Sequence, residues 1–593
     1  MSIKSLGDYI VDRTESLDDS LIKEYFVDHN DDIITRLLDS EQYLLEGSRG
    51  IGKTMLMKKA VIESQKIFGQ ASILCVWVSF EESIRLERIR VVDSSIDPFL
   101  QWTMGKVLNE VLHSIIKIKP LCLDSLNDRL AAIFGTKLND DAKAIFQKYS
   151  IILNDYIQTL EKGDITDNTQ LMSKLPSTEL GNILDNPHSF KNFLLGLISD
   201  FKLERIVLLF DEAAHVFSHN QQEKFFTLFK SLRDPRIACK AAVYPGITNY
   251  GKYFEKGQDA KELRITWSPQ NDTDIKYIKD IIKVRIQKFD PDYWGKLTID
   301  SQIINTICMC SNGNPRFAFH LIDELKSSKA FEQKNITMVM LINCIRIIVE
   351  TKWKELDTLK QRLVRYKVFI QEAENIMKKI FMRNLRDWNN KQRKQNRKLA
   401  AGFYISTSVY DKISKIFDIL AYSNLIMINN SKKSIGKDQY GYYISINPAL
   451  LFSDLIIREV SEMNKVVFAI EYNQAYFETN PEIRLLIDYM KEENEFNCSN
   501  TKCNFVTQDE SYSFCPKCGS PIHKSESDSL YKILRSHSIE NLKLSPKIII
   551  RIKERFITVG DIYDADVEEI KMPYIKEVRS EQIKNAAIEY MAG

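Results

Sequence analysis

Residues 47–54 read Gly47-Ser48-Arg49-Gly50-Ile51-Gly52-Lys53-Thr54 and match the pattern G-x-x-x-x-G-K-[ST] at every fixed position. A strand-like run at 42–45 precedes this loop, and a helical pattern follows it from Thr54 to Lys66. The glycines let backbone N–H groups surround phosphate oxygens at a helix N-terminus, where the helix dipole favours anions. We therefore predict that residues 47–55, Gly47 to Met55, contact a nucleotide, with Lys53 on the β- and γ-phosphates and the Thr54 hydroxyl on Mg²⁺.

A second apolar run, residues 205–210, ends in the carboxylate pair Asp211-Glu212. The carboxyl ends of parallel strands form the edge at which α/β sheets bind ligands. We predict that Asp211 holds Mg²⁺ through water and that Glu212 is the general base for the attacking water. An Asp-Glu pair after an apolar strand is also common in surface loops, but its combination with the phosphate-binding loop favours catalysis.

The first 270 residues alternate between strand-like and helical segments. Buried strands are predicted at 72–80, 205–210 and 237–244, with a further candidate at 262–267. This alternation predicts an α/β fold, a P-loop NTPase core with a parallel sheet covered on both faces. Residues 94–200 are helical in pattern and are interpreted as an insertion into that core, and residues 271–380 are predicted to form a helical lid.

The composition excludes several classes of protein. The chain has 593 residues, 44% hydrophobic and 27% charged, which is typical of a folded globular protein. Its net charge of +2 argues against a uniformly basic nucleic-acid-binding surface. We find neither a secretory signal nor an apolar run long enough to span a bilayer, so a cytoplasmic location without membrane contact is predicted.

Four further motifs follow the carboxylate pair in a fixed order. They are Leu232-Arg233-Asp234-Pro235-Arg236, Tyr244-Pro245-Gly246-Ile247-Thr248, Ile281-Ile282-Lys283-Val284-Arg285 and Gly313-Asn314-Pro315-Arg316. With the phosphate-binding loop, this order resembles the AAA+ ATPases of the origin-recognition-complex-like group, including their bacterial relatives and the neighbouring STAND ATPases. The resemblance covers about residues 15–330 and extends through a winged-helix-like segment to 455.

The resemblance implies roles for several arginines. Arg316 corresponds to the sensor 2 residue that contacts the γ-phosphate from the lid, and Arg233 and Arg236 to an arginine finger that acts on a neighbouring subunit. Thr248 or Asn249 would serve as sensor 1, although Tyr244-Pro245 occupies the strand end where a small polar residue is usual. The alternative is that these arginines are solvated surface or helix-capping residues.

Residues 381–460 resemble the winged-helix domain that such proteins carry after the lid. Its candidate recognition helix is 408–424, with Lys412 and Lys415, and its wing holds Lys432, Lys433 and Lys437. Together with the basic run at 383–398, these lysines would contact DNA phosphates. Protein contact by the same domain is an equally weighted alternative. A helical linker is predicted at 461–490.

Four cysteines cluster near the C-terminus, in the segment 491–525. They are Cys498, Cys503, Cys515 and Cys518, two close pairs with the spacing of a closed tetrahedral Zn²⁺ site. A reducing cytosol makes two disulfides unfavourable. The segment resembles a zinc ribbon, with a structural rather than a catalytic metal. His523 is interpreted as a surface residue rather than as a competing ligand.

Residues 526–593 resemble helix-hairpin-helix modules, with turns at 556–561 and 572–576. Such turns usually carry glycines that let the backbone approach a DNA phosphate, but Tyr574 and Lys576 occupy both glycine positions of the second turn. From 524 to 593 there are twelve basic and twelve acidic residues. We therefore favour protein contact or self-association over DNA binding for this module.

Taken together, the sequence predicts an ATP-binding and ATP-hydrolysing switch or motor that forms a homo-oligomer. Proteins of this appearance often act in antiphage defence or DNA transactions, with a separately encoded effector. Two alternatives stay open: a nucleotide-gated DNA-binding initiator or regulator that uses the winged helix, and a nucleotide-stabilised scaffold without turnover. The intact set of Lys53, Asp211 and Glu212 argues against the scaffold.

Overall fold

The computed structural model describes residues 14–29, 32–80, 97–118, 130–131, 133–134, 142–162, 175, 177–213, 219–328, 335–362, 367–436, 439–463, 496–498, 500, 503, 505–507, 514–524, 535, 537–542 and 544–592. They divide into two compact units, one of Met1–Lys352, Asp418–Met427 and Asn447–Val460, and the other of Trp353–Phe417, Ile428–Ile446 and Ser461–Gly593. Within these described ranges no helix has the length and apolar character to cross a membrane.

A five-stranded sheet forms the centre of the first unit. Its strands are β1 (Tyr43–Glu46), β2 (Ile73–Ser79), β3 (Arg205–Asp211), β4 (Ile237–Val243) and β5 (Lys261–Arg264). All pairs are parallel and the strand order is β2-β3-β4-β1-β5. The predicted α/β fold with a parallel sheet is confirmed.

Burial on both faces explains why these segments are strands. Every residue of β4 is buried, and so are six of the seven residues of β3. Strands covered on both faces need continuous apolar side chains, which the Ile, Val, Leu, Phe and Ala residues of these segments provide. Their carboxyl ends meet at one edge of the sheet, which is where the phosphate-binding loop leaves β1.

The strand order separates the two strands that carry the site. Strand β4 lies between the P-loop strand β1 and the carboxylate strand β3. Adjacent strands are about 4.8 Å apart, so β1 and β3 are separated by about 10 Å. The residue that follows β4, Tyr244, therefore lies between the P-loop and the carboxylate pair.

The helices of the first unit cover the sheet and build the predicted lid. They are α1 (Asp19–Tyr25), α2 (Ile33–Leu38), α3 (Lys53–Ala71), α4 (Pro98–Ile118), α5 (Ala142–Lys162), α6 (Thr178–Asp185), α7 (Pro187–Asp200), α8 (His219–Ser231), α9 (Asp272–Phe289), α10 (Pro291–Thr298), α11 (Ser301–Cys310) and α12 (Pro315–Ser327). The described part of 94–200 is helical as expected. Side-chain caps on Asn271, Asp290, Asp300 and Asn314 fix the starts of the four lid helices.

Helix α13 (Met338–Arg362) runs from the first unit into the second, which continues with α14 (Lys367–Asn375), a π-helical stretch (Ile376–Met382) and α15 (Arg383–Lys394). Then follow β6 (Gly402–Ser406), α16 (Thr407–Tyr422), β7 (Ile426–Gly436) and β8 (Gln439–Ile446). The three strands form a sheet of order β6-β8-β7, in which β6 and β8 are antiparallel. Helix α16 covers most of the predicted recognition helix 408–424, and the strands β7 and β8 follow it.

Helices α17 (Pro448–Ser453) and α18 (Val460–Met463) follow the small sheet. Most of the predicted linker 461–490 lies outside the described residues. A second small sheet contains β9 (Phe496–Cys498), β10 (Val506–Thr507) and β11 (Ile522–Lys524).

Four helices end the chain: α19 (Pro546–Ile552), α20 (Val559–Asp564), α21 (Val567–Ile570) and α22 (Glu577–Ala592). They enclose a hydrophobic cluster of their own that includes Ile552, Val559, Ile570 and Ile583. Tyr574, which takes a glycine position of the second predicted turn, has a left-handed backbone with φ 70 and a side chain that is 73% exposed.

Candidate nucleotide-binding site

A cavity with about 910 Å³ of empty space, part of it open to solvent, lies at the carboxyl edge of the five-stranded sheet. The P-loop and the carboxylates at the end of β3 form a polar part of its lining, and aromatic and apolar side chains contribute to the rest. The predicted site residues that line it are Arg49, Gly50, Ile51, Gly52, Lys53, Thr54, Met55, Asp211, Glu212 and Arg316. Gly47 and Ser48 contribute their carbonyl groups to the same loop.

The P-loop takes its shape from two glycines in the left-handed region. Gly50 has φ 87 and Gly52 has φ 106, and side chains rarely adopt such angles. Gly52 is the N-cap residue of α3, so the helix begins at Lys53. The positive end of the α3 dipole therefore faces the cavity, as anion binding requires.

Lys53 is 5% exposed and lies at the centre of the polar end. Its Nζ donates hydrogen bonds to the carbonyls of Gly47 (2.7 Å) and Ser48 (3.1 Å) and lies 3.8 Å from the centre of the Tyr244 ring. Burial lowers the pKa of this ammonium, although the Glu212 and Asp211 carboxylates oppose the shift. An anionic ligand would favour the charged form, so Lys53 is suited to bind phosphate.

The carboxylate pair is held in place by buried hydrogen bonds. Asp211 is 1% exposed, and its two oxygens accept from Trp77 Nε1 at 3.3 Å and from the Glu212 backbone N–H at 3.0 Å. Burial raises the pKa values of both Asp211 and Glu212, and each is raised further by neighbouring carboxylates. Glu212 has φ 61, a strained conformation for a residue with a side chain, of the kind that clusters at functional sites.

Tyr244 connects the P-loop to the carboxylate pair. Its hydroxyl donates to Glu212 Oε1 at 3.1 Å while its ring contacts the Lys53 ammonium. This arrangement follows from the strand order, since β4 ends between β1 and β3. Sequence reasoning noted Tyr244 only as a departure from the expected pattern. Its position directly after the apolar run at 237–243 was the available signal.

The turn at 313–316 brings Arg316 into the cavity. Asn314 Nδ2 donates to the Arg49 carbonyl at 2.7 Å, which links this turn directly to the P-loop. Gly313 has φ 74, and a Cβ there would lie 1.9 Å from the Trp267 carbonyl oxygen, so only glycine fits. Arg316 lies beside Gly50 of the P-loop and lines the same cavity.

Four residues that the resemblance singled out do not line this cavity. Thr248 closes the turn after β4 by hydrogen bonds to the Tyr244 backbone at 3.0 and 2.9 Å, and the backbone N–H of Asn249 donates to Gln222. Arg233 and Arg236 are exposed and precede the amino end of β4. Since β4 has seven residues, they lie about 20 Å from the phosphate end of their own site.

Sequence reasoning missed most of the aromatic end and one carboxylate. Tyr25, Phe26 and Tyr277 line the cavity, and so does Glu15 at its polar end. The Arg285 guanidinium, from the lid motif, lies 4.9 Å from the centre of the Tyr25 ring. The first 29 residues offered no motif, so only the fold could bring Glu15 and Tyr25 to the P-loop.

The four clustered cysteines converge in the second unit. Their sulfur atoms all lie within 4.8 Å of one another, with Cys498–Cys518 at 3.3 Å and Cys503–Cys515 at 3.6 Å. These separations exceed the roughly 2.05 Å of a disulfide and are close to the roughly 3.8 Å expected between thiolates around a tetrahedral Zn²⁺. Backbone N–H groups of Asn500 and Lys517 donate to two of the sulfurs. The four sulfur atoms fit a metal ion as ligands. The structure does not describe the side chain of His523.

Comparisons with known proteins add little to this geometry. No protein-family model and no curated protein sequence matches the chain. Among solved structures it is similar to the Aeropyrum pernix ORC2 protein in ADPNP–ADP complexes, with 9% identity over 75% of this chain and 93% of that chain and a TM-score of 0.26. It is also similar to the Aeropyrum pernix ORC1 protein in complex with DNA, with 10% identity over 74% and 94% and a TM-score of 0.25. Scores this low carry no argument, so the α/β assignment rests on the sheet and on the P-loop cavity themselves.

Proposed function

We propose that this protein binds and hydrolyses ATP as a molecular switch or motor of the AAA+/STAND kind. One observation carries the proposal: Lys53, Thr54, Asp211, Glu212 and Arg316, which come from distant parts of the sequence, line a single cavity.

The two ends of the cavity suit the two ends of a nucleotide. Lys53, Arg49 and Arg316 supply positive charge at the α3 N-terminus, where phosphates are favoured. Tyr25, Phe26 and Tyr277 supply flat apolar surface at the other end, against which a base packs. Because Tyr277 and Arg316 belong to the lid helices, nucleotide contacts at both ends would bias the position of the lid.

The donor set at the phosphate end fits Mg²⁺. Thr54 and Asp211 would hold the ion, since hydroxyl and carboxylate oxygens are the ligands that this hard cation prefers. When bound, Mg²⁺ neutralises charge on the transferred phosphate. The protein itself contributes Glu212, whose half-buried carboxylate would accept a proton from water and orient that water for attack.

A direct test measures ATP binding and phosphate release by the purified full-length chain. We expect saturable binding with Mg²⁺ present and steady release of phosphate. Saturable binding without any turnover would replace this proposal by the nucleotide-stabilised scaffold, and no binding at millimolar ATP would refute both.

Tyr244→Phe tests whether the Tyr244 hydroxyl positions the general base. A hydrogen bond donated to a carboxylate favours its ionised form and is worth about 1.5–3 kcal/mol. Burial already raises the pKa of Glu212 to about 7, and the loss of the hydroxyl should raise it further. We expect an about tenfold lower hydrolysis rate at pH 7 and a pH–rate profile shifted to higher pH, because the base must be ionised.

Tyr253→Phe is the matched control for this measurement, since Tyr253 is 70% exposed and is not part of the cavity lining. In Tyr244→Phe the aromatic ring itself is retained and would keep its contact with Lys53, so ATP affinity should change little. An unaltered pH–rate profile in Tyr244→Phe would assign the tyrosine a packing role only.

We also propose that the four cysteines hold one structural Zn²⁺ in a zinc ribbon. Cys515→Ser removes one of four thiolates from a site whose metal stabilises its small fold. Metal analysis should show about one zinc per chain in the wild type and close to none in the variant. ATP binding should persist in both, because the P-loop cavity lies entirely in the first unit.

Cys239→Ser is a suitable control for the zinc measurement, since this cysteine is buried in β4 and is not one of the four clustered cysteines. A Cys515→Ser chain that keeps its zinc would contradict the four-cysteine site.

We further propose that the C-terminal helices recruit a protein partner. The Cys515→Ser variant should then also lose assembly or partner binding.

A nucleotide-gated DNA-binding protein is the second candidate. It is favoured by the exposed basic residues of the second unit, which include Lys391, Lys394, Lys412, Lys432 and Lys433. Lys437 lies outside the described residues, and Arg393 is already paired with Glu462 at 2.7 and 2.9 Å. Duplex DNA binding by the full chain, with a steep decline as salt increases, would favour this candidate.

The biological setting stays a prediction. It comprises a homo-oligomer with a separately encoded effector, a role in antiphage defence or DNA transactions, and a cytoplasmic location. Arg233 and Arg236 are too far from their own site to act there, so a finger role requires a neighbouring subunit. An ATPase rate per chain that rises with protein concentration would support that role.

A further inference from the structure

The turn Thr14–Ser16 carries a carboxylate into the phosphate end of the cavity. The Thr54 hydroxyl donates to Glu15 Oε1 at 3.3 Å, and Glu15, Thr54 and Asp211 line the same cavity. The other oxygen of Glu15, Oε2, is buried, and no hydrogen-bond donor reaches it from the described part of the chain. A buried carboxylate oxygen without a donor is costly, so this site favours a positively charged ligand.

The backbone of Glu15 is fixed by Lys58, which lies one helical turn after Thr54. The Lys58 Nζ donates to the carbonyls of Thr14 (3.1 Å), Glu15 (2.6 Å) and Leu17 (3.1 Å). Leu17 in turn packs into a buried cluster with Ile22, Tyr25 and Ile62. The fold therefore holds this carboxylate over the start of α3 by several independent contacts.

Glu15 adds a third negative charge to a pocket that already holds two. Its carboxylate contributes to the raised pKa values of both Asp211 and Glu212. Of the positive groups that line the cavity, Lys53 is already hydrogen-bonded to the carbonyls of Gly47 and Ser48. Thr54, Asp211 and Glu15 thus present hydroxyl and carboxylate oxygens to the same cavity, and these are the donors that divalent cations prefer.

We propose that Glu15 is a third protein ligand of the divalent-cation site and makes nucleotide binding depend on that cation. This inference rests on the proposed ATP-binding function and specifies how its metal is held. Without the cation, Glu15 repels the phosphates of the nucleotide. With the cation between them, the same carboxylate attracts the metal–nucleotide complex.

Glu15→Gln in the full-length chain tests two effects separately: repulsion of the nucleotide without the cation, and attraction of the metal–nucleotide complex with it. The probes are Mn²⁺, followed by electron paramagnetic resonance on the chain saturated with ADP, and a fluorescent ATP analogue with either Mg²⁺ or EDTA. We expect Mn²⁺ affinity to fall on the order of tenfold, as for other residues that support a metal site. The analogue should bind more weakly with Mg²⁺ and more tightly with EDTA. Glu24→Gln changes a carboxylate of α1 that pairs with Lys288 and does not line the cavity, so it is the matched control and should change neither value.

The outcomes separate the possible roles of Glu15. If the analogue binds more tightly both with Mg²⁺ and with EDTA, Glu15 only obstructs nucleotide binding. If binding is unchanged in both, Glu15 has a structural role only. Either result overturns the proposal. Glu15→Asp keeps the charge and should retain part of the Mg²⁺ preference, which tests the proposal even where the Gln variant is unstable. A wild-type chain that binds no nucleotide would instead refute the ATP-binding function itself.

Discussion

Glu212→Gln should bind ATP with nearly wild-type affinity and hydrolyse it on the order of 100- to 1,000-fold more slowly. The substitution keeps an oxygen that can accept the Tyr244 hydroxyl, which lies 3.1 Å from Glu212 Oε1. It removes only the ability to accept a proton from water. Single-turnover phosphate release, measured with bound ATP and excess protein, separates this chemical step from nucleotide exchange.

The control for this variant is Glu63→Gln, on the outer face of α3, where Glu63 pairs with Lys59 and Lys66. It should turn over at the wild-type rate. If Glu212→Gln releases phosphate as fast as this control, Glu212 is not the general base. Because Glu15 and Asp211 lie in the same pocket, their Gln and Asn variants would then be the next to measure.

The sequence was sufficient to predict the fold class and the polar end of the site. The P-loop and the apolar run that ends in Asp211-Glu212 are local patterns, because the residues that define each of them are adjacent in the sequence. The four strands suggested by apolar runs are present in the structure, with ends that differ from the predicted ones by at most three residues. The cysteine cluster was equally local, because its two pairs are close in the chain.

The sequence could not show which residues the topology brings together. Strand order is a property of the whole sheet, and the insertion of β4 between β1 and β3 is what places Tyr244 on both Lys53 and Glu212. Glu15 is still less predictable, because it precedes the P-loop by more than thirty residues in a segment with no motif. Its position depends on Lys58 and on the packing of Leu17, which are tertiary contacts.

The departures from the resemblance also have a physical reading. Thr248 and Asn249 have the chemistry of a sensor residue, but the Thr248 hydroxyl donates to the Tyr244 carbonyl and Asn249 Oδ1 accepts from the Gly251 backbone N–H. Tyr244 instead contacts both Lys53 and Glu212 from this strand end.

Lys53→Ala should weaken ATP binding on the order of 100-fold or more. A hydrogen bond between an ammonium and a phosphate contributes up to about 3 kcal/mol, which corresponds to about 100-fold in affinity. The neighbouring carboxylates of Asp211, Glu212 and Glu15 should increase this loss of ATP affinity, because less positive charge would remain to oppose their repulsion of the phosphates. Titration with a fluorescent ATP analogue measures the change, and Lys66→Ala, on the exposed part of α3, is the matched control.

Proton uptake on ATP binding distinguishes the loss of the Lys53 ammonium from a folding defect. Burial lowers the pKa of Lys53 in the empty site, and the charge of bound phosphates favours its protonated form. ATP binding by the wild type should therefore take up protons near neutral pH, which calorimetry in buffers of different ionisation enthalpy detects. The uptake from Lys53 should be absent in Lys53→Ala and retained in Lys66→Ala. A variant that binds ATP as tightly as the control, with the same proton uptake, would show that this lysine is not the phosphate ligand.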